Sequence, residues 1–121
     1  MDKRKHRLYL KSTCLFTCNS CHTHLLEQNA IISRNFQGRN GPAYLVNQVV
    51  NISIGTKEER MLLTGIHTVA DITCNQCHIK LGWKYLRALE EPQKYKEGKY
   101  IVERSKIVKE VDWDEQDDYF I

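Results

Sequence analysis

The chain is 121 residues long, 41% hydrophobic and 27% charged, with a formal net charge of +3 at pH 7. That is the composition of one globular domain and excludes a disordered chain. No apolar run is long enough to span a membrane, and the mild basic excess is not the large, clustered one of a nucleic-acid binder. A chain of this size buries roughly two-thirds of the surface its unfolded form exposes, so the core is thin and a metal staple matters.

The N-terminal residues MDKRKHRLYLK start basic, with Lys3, Arg4, Lys5, Arg7 and Lys11 against Asp2. No apolar segment follows, so a secretory signal is not expected. A reducing compartment follows, and the five cysteines read as thiols or metal ligands rather than disulfides. Residues 1–11 form a basic arm, 12–108 the folded domain, and 109–121 an acidic tail. Both ends are expected to be dispensable for folding. Trp113, Tyr119 and Phe120 stand among the tail's carboxylates, a pattern that resembles a docking peptide.

Between the ends the pattern is β. FQGRNGP (36–42) reads as a loop, from its two Gly and its Pro. AYLVNQVVNISIG (43–55) reads as a strand in which Val50, Ile52 and Ile54 share a buried face. HTVADITC (67–74) and KYIVERSKIV (99–108) read as further strands, the latter with Ile101 and Ile107 on one side. LRALEEPQKYKEG (86–98) leaves room for a short helix before Pro92.

Two Cys-x-x-Cys pairs, Cys18-Asn-Ser-Cys21 and Cys74-Asn-Gln-Cys77, lie 52 residues apart. Two residues between thiols let a tight turn aim both sulfurs at one point about 2.3 Å away, and two such knuckles complete a tetrahedron. Soft thiolates in that geometry select zinc. Structural zinc contributes about 10–16 kcal/mol in small zinc-finger peptides, against about 5–15 kcal/mol of net stability for a typical domain. Loss of the metal should therefore abolish the fold. Four thiolates also close the shell, whereas catalytic zinc keeps a position for water. A deaminase would need His-x-Glu before its Cys-x-x-Cys, and His67-Thr68-Val69 has no Glu there. His22, His24 and His78 flank the knuckles and read as neighbours rather than ligands. Cys14 has no partner at ligand spacing and reads as a buried structural thiol.

Over residues 8–108 the chain resembles the Yippee-like proteins. The resemblance rests on both knuckles and their separation, SRNFQGRNGPAYL (33–45), VVNISIG (49–55), MLLTGIHTVADITC (61–74), LGWKY (81–85) and QKYKEGKYIVE (93–103). It implies a β-tent: two antiparallel sheets meeting at an angle and pinned by one structural zinc. The same superfamily includes the cereblon ligand-binding domain and the methionine-R-sulfoxide reductases. Gly82-Trp83-Lys84-Tyr85 resembles the cereblon stretch that supplies one cage tryptophan, while His67 stands where that cage has another aromatic. Residues 99–108 hold no Cys, so the reductase nucleophile is not matched.

The resemblance implies a non-enzymatic, zinc-stabilised protein-interaction module of nucleus and cytoplasm. Such a module would be an adaptor associated with cell division or stress and with a ubiquitin ligase complex. Trp83, Tyr85 and His67 are the candidate groove for a peptide or small ligand, since alternate residues of a strand share a face. One alternative is a small-ligand sensor using that groove. Another is nucleic-acid binding through Arg34, Arg39, Lys84, Lys94, Lys96 and the N-terminal arm.

Overall fold

The computed structural model describes residues 7–111. Trp113, Tyr119, Phe120 and the rest of the acidic tail beyond 111 lie outside the described residues, as does the arm before residue 7. The strands are β1 (Cys14–Cys18), β2 (His24–Glu27), β3 (Ile31–Gly38), β4 (Gly41–Val46), β5 (Ile52–Leu62), β6 (Gly65–Cys74), β7 (Lys80–Ala88), β8 (Tyr100–Glu103) and β9 (Ile107–Val111). They form two antiparallel sheets, one of three strands ordered β2-β1-β9 and one of six ordered β3-β4-β8-β7-β6-β5.

Burial follows position in the sheet. The outer strands β3 and β5 are largely exposed, and β5 carries Lys57, Glu58, Glu59 and Arg60, charges that discourage edge-to-edge pairing. The inner strands carry the core, and strand alternation, interrupted by an irregularity at Leu81 of β7, divides it in two. Tyr44, Val46, Ile72, Leu81 and Val102 face one way and pack with Phe16, Leu25, Leu26 and Ile107 of the smaller sheet. Ala43, Leu45, Val69, Trp83, Tyr85 and Ile101 form a second cluster on the opposite face, joined by Phe36 and Leu62.

Several expected elements are divided differently. Residues 43–55 are not one strand. The chain leaves β4 at Val46 and enters β5 at Ile52, because these strands lie far apart in the sheet order. The link docks on the smaller sheet's side, where the Val50 N–H donates to the Leu25 carbonyl. The expected buried face is also wrong: Ile54 is 50% exposed on an edge strand, and Asn51 is 6% exposed. Residues 99–108 are two strands in two sheets, joined by a 3₁₀ turn at Arg104–Lys106. The segment read as a loop at 36–42 is a tight hairpin, with only Arg39 and Asn40 outside β3 and β4. β7 runs on to Ala88, so no helix precedes Pro92. A 3₁₀ helix at Glu91–Lys96 instead carries that proline in its first turn, where no N–H is needed.

Both ends of the domain reach further than their charge implied. Asn51 Oδ1 accepts from the Leu8 N–H at 2.7 Å, and its Nδ2 donates to the carbonyls of Leu8 at 2.9 Å and His24 at 2.7 Å. β9 pairs with β1 out to Val111 opposite Cys14, so residues 109–111 are strand rather than tail.

Candidate metal centre and cavity

Cys18 closes β1 in the smaller sheet and Cys74 closes β6 in the larger. Each begins the same turn. The N–H groups of His22 and His78 donate back to the carbonyls of Cys18 and Cys74 at 2.8 and 2.9 Å. The N–H groups of Cys18 and Cys74 donate to the carbonyls of Thr23 and Ile79 at 2.8 and 2.9 Å. His22 and His78 have φ values of 63° and 70°. Their role is to hold the left-handed position that closes each knuckle, a conformation for which His is among the better-tolerated residues. His24 accepts from the Leu10 N–H through Nδ1 at 2.9 Å. None of the three histidines belongs to the sulfur cluster.

The four sulfurs of Cys18, Cys21, Cys74 and Cys77 lie within 4.8 Å of one another. Cys18 Sγ is 3.5 Å from Cys77 Sγ, and Cys21 Sγ is 3.6 Å from Cys74 Sγ. A tetrahedron with bonds of about 2.3 Å has edges of about 3.8 Å, so the cluster matches one zinc ion and no disulfide. Cys18 and Cys74 are fully buried, and Cys21 and Cys77 are half-buried. Burial pushes the Cys18 thiol up to about 12 and raises that of Cys74. Burial also acts to raise Cys21, but the Thr23 hydroxyl 3.0 Å away and the Thr23 backbone outweigh it and bring this thiol down to about 6. Zinc takes its cysteine ligands as thiolates, so binding it releases their protons. One zinc there joins β1 to β6 and so fastens the two sheets. Cys14 stands apart; it is half-buried rather than buried, and its thiol donates to Gln28 Oε1 at 2.7 Å.

Trp83 and Tyr85 do share a face, but the face turned away from the metal, since Leu81 and Trp83 belong to opposite core clusters. They line a cavity of about 920 Å³. The Trp83 and Tyr85 rings meet edge to face at 6.1 Å, and His67 packs on Tyr85 at 5.2 Å. His67 stands behind this wall rather than on it. Its Nδ1–H donates to the Gly65 carbonyl at 2.9 Å, leaving Nε2 buried without a donor. Burial pushes the Tyr85 hydroxyl up to about 12, and the nearby Trp83 indole N–H offsets this only in part. That N–H meets no acceptor at hydrogen-bonding geometry.

The sequence pattern missed three polar residues. Lys96, grouped above with surface cations, is 2% exposed and lines the cavity. Glu103 is buried under the β3–β4 turn, where Oε2 accepts from the N–H groups of Arg39 and Asn40. Asn51 has φ 59°, and an Asn inside an apolar run is the one local signal that marked any of them.

A family model described as "Yippee zinc-binding/DNA-binding /Mis18, centromere assembly" matches residues 14–118. The chain is 54% identical over 99 residues to protein yippee-like 3 of Oryzias latipes, covering 82% of this chain and 83% of that protein. It is 51% identical over 111 residues to protein yippee-like 4 of Homo sapiens, covering 92% and 82%. The crystal structure of a Mis18 "Yippee-like" domain matches with a TM-score of 0.63 at 14% identity, over 81% of this chain and 95% of that one. The thiolate cluster, the two-sheet fold and these matches agree: the chain belongs to the Yippee-Mis18 family.

Proposed function

We propose that this chain is a non-enzymatic, zinc-stabilised protein-interaction module whose working surface is the cavity walled by Trp83 and Tyr85. One observation carries the reading: the cavity rim is apolar and exposed, with Met61 at 74%, Leu63 at 94% and Tyr95 at 54%. Side chains this exposed at one site mark an interaction surface, and an indole in the wall behind them is a favoured hot-spot residue. Four thiolates leave zinc no position for substrate, which favours binding over catalysis. As partner class we infer a regulatory protein of nucleus or cytoplasm, a ubiquitin ligase subunit among them, from the Yippee-like resemblance.

Leu63 is exposed, so Leu63→Ser leaves the core intact and isolates the surface. Zinc-loaded wild-type protein and this variant are used as bait, with bound proteins identified by mass spectrometry. The reading predicts partners retained by wild type and lost by Leu63→Ser. An unchanged set of partners would put the working surface elsewhere.

A second reading, a small-ligand sensor, is favoured by the cavity volume, since ligand sites span about 300–1,000 Å³. Nucleic-acid binding finds less support. The guanidinium groups of Arg34 and Arg104 are engaged over the Tyr44 ring at 5.4 and 5.5 Å, and Lys96 is buried. Affinity for DNA that collapses with modest salt would revive it.

A further inference from the structure

The cavity wall contains a cation that no carboxylate among the described residues neutralises. The Lys96 ammonium donates to Thr64 Oγ1 at 2.8 Å. It stands 5.4 Å from the ring centres of Phe36 and Tyr85, and 6.0 Å from that of Tyr95. Among the described residues the carboxylates pair with Arg60, Lys80 and Lys94, and none pairs with Lys96. An ammonium has three N–H donors, and among the described residues only Thr64 accepts from it. Aromatic faces attract a cation, yet burying a charge without a counter-charge is costly. A methionine would fill the same space at lower cost.

The rest of the wall has the same sign. Among the described residues, Arg39, Arg60 and Lys96 line the cavity, and no Asp or Glu does. Arg60 is already held by Glu58 and Asp71, which leaves Lys96 as the deep charge. Trp83 lines the same cavity, and its N–H has no acceptor among the described residues. Met61 and Leu63 at the cavity are strongly exposed, apolar surface that a bound chain segment would cover.

We infer that the cavity receives a partner-protein segment in which a carboxylate stands beside a large apolar side chain, with the carboxylate on the Lys96 ammonium and the apolar group on Trp83 and Tyr85. This rests on the interaction reading above and gives it a ligand chemistry. One buried positive charge is balanced by one carboxylate, and the ring faces that hold the ammonium exclude water from the pair.

A random-peptide phage library selected on the zinc-loaded full chain tests it. The best peptide and its twin, with Asp→Asn and Glu→Gln exchanges, are titrated into wild type, Lys96→Met and Leu63→Ser. Zinc content and melting of each variant are checked alongside, and the Trp83 indole N–H resonance reports occupancy. The inference predicts selected peptides with an acid next to an aromatic or leucine residue. The twin should bind wild type about tenfold or more weakly, and the two peptides should bind Lys96→Met alike. If Lys96→Met fails to fold, the twin alone decides. Peptides that move the Trp83 resonance and need Leu63 but no acid would overturn the Lys96 assignment and leave the interaction reading standing. Absence of any selected peptide, or peptides indifferent to Leu63→Ser, would overturn both.

Discussion

A Cβ built on Gly82 would lie 1.9 Å from the carbonyl oxygen of Ile101. Gly82 pairs with Val102 across the β7–β8 ladder, so the absence of a side chain serves the approach of another strand, not of a ligand. The neighbours on either side belong to opposite clusters, Leu81 in the one that includes Cys18 and Cys74, and Trp83 in the cavity wall. The register shift beside Gly82, where Ile72 pairs with Gly82 and Thr73 with Lys80, is what sends Leu81 and Trp83 to opposite clusters. Gly82→Ala must displace backbone and should cost about 2–3 kcal/mol, read as a lower urea midpoint. An unchanged midpoint would show that the two strands are not so close.

Glu103 ends β8 and closes the β3–β4 turn through three hydrogen bonds, two to backbone N–H groups at 2.6 and 3.1 Å and one from Asn40 Nδ2 at 3.1 Å. Glu103→Ala leaves those donors without their acceptor and should cost about 1–3 kcal/mol. Glu103→Gln keeps one acceptor oxygen and should cost less. Equal stability of all three proteins in urea melts would refute the capping role.

Lys96 gives a pH signature. Burial lowers its pKa from the ordinary 10.5, so the native state holds this proton less tightly than the unfolded chain. Protonated Lys96 therefore destabilises the fold fully below its native pKa, and the penalty fades as pH rises from there to 10.5. Lys96→Met should raise the melting temperature near neutral pH, by about 1 kcal/mol in stability, and the gain should shrink in the alkaline range. A gain that grew with pH would carry the wrong sign.

β9 predicts a sharp boundary for truncation. A chain ending at Lys109 loses Glu110 and Val111, which pair with Leu15 and Cys14. It should melt lower than a chain ending at Val111. Identical melting of the two would show that these last pairs contribute nothing.

The metal centre was legible because its chemistry is local: each knuckle needs four consecutive residues, and the sulfurs of Cys18, Cys21, Cys74 and Cys77 can meet in few ways. The shared face of Trp83 and Tyr85 was legible for a similar reason, from strand alternation. Which side that face took was not, because it depends on where the smaller sheet docks. The break between Val46 and Ile52 and the change of sheet between Glu103 and Ile107 were hidden by continuous β-type composition. Propensity does not record strand order. Lys96 was misread because a lysine's burial is set by rings distant in sequence, Phe36 and Tyr85.

The central claim is that a single four-thiolate zinc fastens the two sheets. Zinc K-edge X-ray absorption on the purified protein, with metal stoichiometry on the same sample, tests it most directly. The account predicts one zinc per chain with four sulfur neighbours at about 2.3 Å, and loss of both metal and cooperative melting in Cys74→Ser. Nitrogen or oxygen donors in the shell, two zinc ions per chain, or a Cys74→Ser protein that keeps its zinc and its melting temperature would contradict it.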